Sequence, residues 1–200
     1  TKSFQIAHGL NGVPEMIWTK CRTLGNSYTS WGVGHKDLDG GNAPWTHYLM
    51  LNETDAEADW DGMFNDTAPT STHFTVGEGS NMSNASGEEM VAVLFRSVDS
   101  ISKVGSYTGN GSTSGPTITT GFSPRFLIIK RVDGSGSWFM HDTLRGLSSG
   151  SSTSPYLRLD LDNAENSFTF GTISSTGFTL ATSGSSYNAS GGEYIYYAHA

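Results

Sequence analysis

Gly9-Leu10 followed by Val13-Pro14-Glu15-Met16-Ile17-Trp18-Thr19-Lys20 is answered later in the same chain by Gly121-Phe122-Ser123-Pro124-Arg125-Phe126-Leu127-Ile128-Ile129-Lys130. The match does not stand alone. Trp31 is answered by Trp138, and His35, Leu38 and Gly40 by His141, Leu144 and Gly146 at the same spacing. Tyr48-Leu49-Met50-Leu51-Asn52 corresponds to Tyr156-Leu157-Arg158-Leu159-Asp160, and Phe74-Thr75-Val76 to Phe178-Thr179-Leu180. Asn84-Ala85-Ser86-Gly87 recurs unchanged as Asn188-Ala189-Ser190-Gly191, with Glu89 falling on Glu193. Blocks that keep their order across two halves of a chain mark an internal duplication. The offset drifts from about 110 to about 104, so loop insertions, mostly in the first copy, separate the two. The first copy runs to about Arg96, and Lys103 to Tyr107 opens the second. Domains spanning 1–100 and 101–200 are expected.

The blocks themselves read as strands. Met16-Ile17-Trp18 and Phe126-Leu127-Ile128-Ile129 are short apolar runs behind a proline, which suits buried strands. Met90-Val91-Ala92-Val93-Leu94-Phe95 and Tyr194-Ile195-Tyr196-Tyr197 close each copy with β-forming residues. Turn chemistry separates the runs at Gly25-Asn26-Ser27, Asp39-Gly40-Gly41-Asn42, Gly109-Asn110-Gly111 and Gly134-Ser135-Gly136. The stretch 53–59 is the only helix candidate, of one or two turns. Ser148 to Ser154 and Gly109 to Gly115 read as mobile Gly-Ser loops. Short strands at this spacing without intervening helices predict an all-β fold of two tandem homologous antiparallel β-sandwich (jelly-roll-like) units.

Composition narrows the function classes. The 200 residues include five Trp, ten Phe and eight Tyr, an aromatic load that a disordered chain lacks. The formal charge of -8 repels nucleic acid and anionic membrane, so neither is expected as a partner. No run is long and apolar enough to span a bilayer, so membrane insertion is not expected, and no signal peptide stands at the start. The single cysteine, Cys21, lies in an apolar run and reads as a small buried hydrophobe.

No segment holds a complete catalytic set, so no catalytic residue, cofactor or metal is expected. His35 and His141 recur with the fold, while Asp37 and Asp142 stand differently relative to them, which favours a structural role over a shared triad. Gly146-Leu147-Ser148-Ser149-Gly150 matches the nucleophile-elbow pattern but has no helix after it and no equivalent in the first copy. Asp37-Leu38-Asp39-Gly40 and Asp59-Trp60-Asp61-Gly62 look like calcium loops, yet neither continues with the further oxygen ligands that calcium needs. The Asn-x-Ser/Thr sequons at Asn52, Asn65, Asn81, Asn84, Asn110 and Asn188 follow from a Ser/Thr-rich composition.

What differs between the copies is where a ligand is expected. Trp45, His47, Asp59, Trp60 and Asp61 lie in first-copy segments that the second copy lacks or shortens. Exposed aromatics beside carboxylates bind sugars, the ring stacking on C–H faces and the polar groups taking hydroxyls. The alternative is that these tryptophans pad a longer loop against the core. Trp31 and Trp138, by contrast, recur and are expected in the core.

The run from Gly121 to Arg131, then Trp138, then Asp142-Thr143-Leu144-Arg145-Gly146, resembles a repeated all-β domain of unknown function found in tail-fibre and other virion proteins of tailed bacteriophages, many of them marine. The two closing segments, and Val104-Gly105-Ser106-Tyr107-Thr108-Gly109-Asn110-Gly111, carry the same resemblance. The first copy departs from it at His35-Lys36-Asp37-Leu38, so a role tied to Arg145 does not transfer there. The resemblance implies a virion-surface or extracellular setting. The expected function is a non-enzymatic structural module of a fibre, appendage or capsid surface, with other virion subunits as partners. Repeats of this kind pack readily on copies in neighbouring chains, so a homo-oligomer is expected, with host surface glycan as a further contact. The alternatives are a free-standing carbohydrate-binding module or lectin, and a glycan depolymerase. The last would need two carboxylates flanking a bond, and Asp59 and Asp61 lie two apart on one loop.

Overall fold

The computed structural model describes residues 3–23, 30–78 and 81–200. The turn read at 25–27 lies outside them. The chain is all-β, and its paired strands run antiparallel throughout the described residues. Contacts divide it into two compact units, Thr1–Arg96 and Ser97–Ala200. Residues 97–101 go with the second unit because Val104 N–H donates to Ser97 Oγ at 3.1 Å and Val98 bridges Ser102.

The first unit contains β1 (Phe4–Ala7), β2 (Met16–Cys21), β3 (Gly32–His35), β4 (His47–Met50), β5 (Ala58–Asp59), β6 (His73–Val76) and β7 (Met90–Phe95). Its larger sheet has the order β5-β4-β3-β2-β7, and β1 pairs with β6 in a smaller one. The core gathers Ile17 from the larger sheet, Phe74 and Val76 from the smaller, and Trp45, Met63 and Phe64 from the segments between. Burying each such side chain contributes about 1.5–3 kcal/mol. Among the described residues helix is confined to single turns, two of 3-10 type at Leu38–Gly41 and Pro44–Thr46, and α1 at Asp61–Phe64. The helix expected at 53–59 is therefore displaced. Ala58 and Asp59 instead pair with Tyr48 and His47, and the turn begins only after Trp60 and stops at Asn65, whose φ is 52°.

The second unit contains β8 (Ser102–Thr108), β9 (Thr117–Thr119), β10 (Phe126–Arg131), β11 (Trp138–Asp142), β12 (Thr153–Arg158), β13 (Asn166–Thr169), β14 (Gly171–Ser174), β15 (Gly177–Leu180) and β16 (Glu193–His199). Its sheets have the orders β13-β12-β11-β10-β16-β8 and β14-β15-β9. By sequence correspondence β2, β3, β4 and β7 match β10, β11, β12 and β16, and the two sets have the same spatial order. Two strands are additional: β14, beside β15, and β8, which covers the outer edge of β16. The core draws Leu127, Ile129, Phe139, Tyr194 and Tyr196 from one sheet and Ile118, Phe178 and Leu180 from the other.

The repeated small motifs keep their conformations. Gly87 and Gly191, closing the two Asn-Ala-Ser-Gly blocks, have φ of 76° and 74°, values that glycine reaches without strain. Trp31 N–H donates to Asn52 Oδ1 at 2.8 Å, and Trp138 N–H donates to the matching Asp160 Oδ1 at 2.7 Å. Trp138 is buried as expected, but Trp31 is only half-buried. Leu38 and Leu144, which match in spacing, do not match in space: Leu38 is fully buried and Leu144 is 91% exposed. Cys21 is buried, as its apolar surroundings in the sequence imply. The loop 109–115 is not a loose linker. The buried Asn188 side chain donates to Asn110 Oδ1, Ser112 O and Thr182 O and accepts from Asn110 N–H, pinning the loop down. The loop 148–154 likewise runs directly into β12 at Thr153. Among the described residues no helix is long and apolar enough to cross a membrane.

Candidate functional site

The two recurring histidines lie in the interior. Both are fully buried at the ends of equivalent strands, β3 and β11. His141 Nδ1 lies 3.0 Å from the Pro155 carbonyl and 3.0 Å from Ser154 Oγ, and Nε2 lies 2.9 Å from Tyr187 Oη. A carbonyl can only accept, so Nδ1 carries the proton and Nε2 accepts from the tyrosine hydroxyl. The ring stacks on Phe170 at 4.4 Å. Burial pulls the His141 pKa down to about 4, against weaker opposition from the Pro155 carbonyl and Asp142. His35 Nδ1 accepts from Asp37 N–H at 3.1 Å. The elbow-like Gly146–Gly150 run follows a turn, with Leu147 buried and no helix after it. Arg145 is held by two carboxylates, Asp142 and Glu165. Asp39 is spent on its own loop, accepting from Ala43 N–H while its N–H donates to Glu57 Oε2. Among the described residues no three His, Cys, Asp or Glu side chains converge as a metal site requires.

The five expected ligand residues separate into two groups. Trp45 is buried, only 8% exposed, with its ring edge-on to Phe64 at 5.5 Å, so neither face can stack on a sugar. The short turn Pro44–Thr46 drives it inward, which is the padding role. His47, Asp59, Trp60 and Asp61 lie together at the β4–β5 edge. His47 pairs directly with Asp59, and Trp60 N–H donates to Thr46 O at 2.9 Å. His47 Nδ1 is 2.8 Å from Thr46 Oγ1. Asp59 and Asp61 are both exposed, on either side of Trp60. Met63 and Phe64, buried in the core just beyond, anchor the chain on which Trp60 stands.

Trp60 is 37% exposed. One side of it packs on Gly62, where a β-carbon would come within 2.4 Å of the ring. Tyr48 meets it edge-on at 5.9 Å. Sequence comparison had no reason to select Tyr48, because it recurs as Tyr156 and recurrence marks scaffold. Its position one residue from His47 on a strand facing the Asp59 segment was the available signal. Side chains alternate faces along paired strands, so Tyr48 meets Trp60 on one face while His47 and Asp59 point to the other; the indole with its phenol neighbour offers an aromatic surface able to meet the C–H face of a polar ring. The two carboxylates sit on one exposed stretch and do not enclose a cleft.

Fold and surface define an all-β protein of antiparallel sheets. The chain belongs to the family described as a domain of unknown function (DUF7483), which it matches over residues 1–200. That match runs through both units. No curated protein and no solved structure matches the chain.

Proposed function

We propose that the protein is a non-enzymatic structural component of a bacteriophage virion, a fibre, appendage or capsid-surface module built of two jelly-roll-like sandwiches. The observation that carries this reading is the use made of the recurring residues. Both copies spend their histidine in the interior, and both build the same strand order around it. A core drawn from two sheets in each unit is what a sandwich needs. The virion setting rests on the resemblance of the Gly121–Gly146 blocks to virion domains, and with it go other virion subunits, further copies of the chain and an extracellular location. Quantitative mass spectrometry of purified particles tests it. Stoichiometric copy number is the expected result; absence from particles overturns it.

A sugar-binding role, within a virion or as a free-standing module, has its own support in the exposed Trp60 against Tyr48, with the exposed Asp59 and Asp61 on either side of it in the chain. Calorimetry against host polysaccharides is expected to show weak binding, and silence at millimolar sugar would remove that role.

A further inference from the structure

The strand β16 has neighbours on both edges, β10 and β8, whereas its counterpart β7 has only β2. Among the described residues no strand pairs with the far edge of β7. Two backbone contacts show which residues face that edge. Glu15 N–H donates to Phe95 O and Arg22 N–H donates to Glu89 O, so the odd-numbered residues face β2. Backbone groups alternate along an antiparallel strand, which aims the N–H and C=O of Met90, Ala92 and Leu94 outward. Their counterparts Tyr194, Tyr196 and Ala198 are 0%, 4% and 0% exposed beneath β8. Met90, Ala92 and Leu94 are all half-exposed by comparison.

One hollow lies beside this open edge and a second at the segment just before β7, each where the counterpart residues of the second unit meet a piece of the β8 segment. Tyr107 of β8 stacks on Tyr194 at 4.9 Å, meets Phe178 edge-on at 6.3 Å, lies 6.5 Å from Tyr196 and donates its hydroxyl to Tyr187 O at 2.8 Å. The counterparts of those four residues are Met90, Phe74, Ala92 and Ser83. All four line one cavity of about 260 Å3 in the first unit. Beyond Tyr107 the chain continues as Gly109-Asn110-Gly111, pressed so closely on Asn188, Ala189 and Ser190 that a β-carbon at Gly109 would sit 2.2 Å from Ala189 O. The counterparts Asn84, Ala85 and Ser86 line a second cavity of about 670 Å3. Asn188 clasps Asn110 through a pair of hydrogen bonds. Among the described residues, Asn84 shows the inward half of that pattern, donating to Gly77 O at 3.0 Å.

We propose that the outer edge of β7 is an acceptor site for an incoming β-strand of the β8 type. The occupant is an extended peptide segment of pattern Val-Gly-X-Tyr-X-Gly-Asn-Gly, contributed by polypeptide outside these 200 residues. It adds antiparallel to β7 through main-chain hydrogen bonds, the general mode of β-augmentation. Its tyrosine enters the smaller hollow, where Met90 replaces the stacking phenol with a sulfur–aromatic contact. Its Gly-Asn-Gly lies along Asn84, Ala85 and Ser86. Backbone and side chains point to the same occupant independently: an open ladder on one side, a ring-sized hollow and an asparagine clasp on the other. The site stands whether or not the protein belongs to a particle.

The test is a titration of the intact chain with a labelled synthetic peptide of the 101–112 sequence, followed by anisotropy and by amide exchange in NMR. Binding tighter than about 1 mM is expected. Exchange should slow at the amides of Met90, Ala92 and Leu94 and stay unchanged at Val91 and Val93. A peptide carrying Tyr107→Ala should bind roughly tenfold more weakly. Ala92→Pro in the protein should abolish binding while keeping the β2 ladder, since proline is tolerated where an edge-strand N–H faces outward. Asn84→Ala weakens binding without touching the strand and serves if Ala92→Pro fails to fold. No binding overturns the proposal. So does protection confined to β16, or a dimer of the chain in which its own β8 lies on a second copy's β7.

Discussion

The imidazole of His141 and the phenol of Tyr187 meet at 2.9 Å, both fully enclosed in the second unit. The contact joins β11 to the segment just before the Asn188 block, so one neutral hydrogen bond ties two distant parts of the core.

Burial of this imidazole makes stability pH-dependent. Burial lowers the folded-state pKa of His141 to about 4, below its ordinary 6.5. The unfolded chain therefore binds the proton more readily than the folded one. The stabilisation is fully present above pH 6.5 and is lost progressively as pH falls towards 4, by roughly 3 kcal/mol in all. Urea unfolding of the second unit between pH 7 and 4 checks it. A His141→Gln variant, having no group to titrate there, should flatten most of that slope.

The two Asn-Ala-Ser-Gly blocks are predicted to differ in weight. Asn188 is fully buried and donates to three carbonyl-type oxygens while accepting from Asn110 N–H. Asn188→Ala should cost about 3 kcal/mol or more, since several buried groups lose partners together. Asn84→Ala removes one donor bond at a half-buried site and should cost about 1 kcal/mol. Chemical denaturation of the two variants gives the comparison.

Close backbone approach makes a similar contrast between glycines. A β-carbon at Gly109 would lie 2.2 Å from Ala189 O, whereas one at Gly150 would meet nothing within 4 Å. Gly109→Ala should destabilise by about 1–3 kcal/mol through forced backbone shifts. Gly150→Ala should leave the melting temperature nearly unchanged, which thermal unfolding will show.

The first-unit tryptophans should separate cleanly. Trp45→Ala opens a cavity in the core and should cost about 3–5 kcal/mol. Trp60→Ala should leave the fold intact and remove retention on immobilised host polysaccharide. Retention that survives Trp60→Ala, in a protein that binds sugar, would place the sugar elsewhere.

Much of this architecture was legible beforehand, and for local reasons. Strand identity follows from apolar runs and turn residues next to each other in the chain, so β2, β10, β7 and β16 were readable one by one. Duplication is a one-dimensional property, and the recurrence of His35 and His141 marked two positions that both lie in the interior. The candidate surface was half legible. His47, Asp59, Trp60 and Asp61 stood out as unmatched residues, and the β4–β5 pairing joins them. Trp45 stood out on the same ground and belongs to the core, because no local pattern tells which way a loop tryptophan turns.

Residue order alone carries the all-β class, the repeated order of blocks and the residues common to both copies. Which face each residue shows depends on the packing of the folded chain. Leu38 and Leu144 share a spacing but lie at opposite extremes of exposure, and Met90, Ala92 and Leu94 match Tyr194, Tyr196 and Ala198 but lack the strand that covers them. Burial depends on what arrives from elsewhere in space. Among the described residues no strand lies beside the outer edge of β7, a fact that its own six residues do not encode.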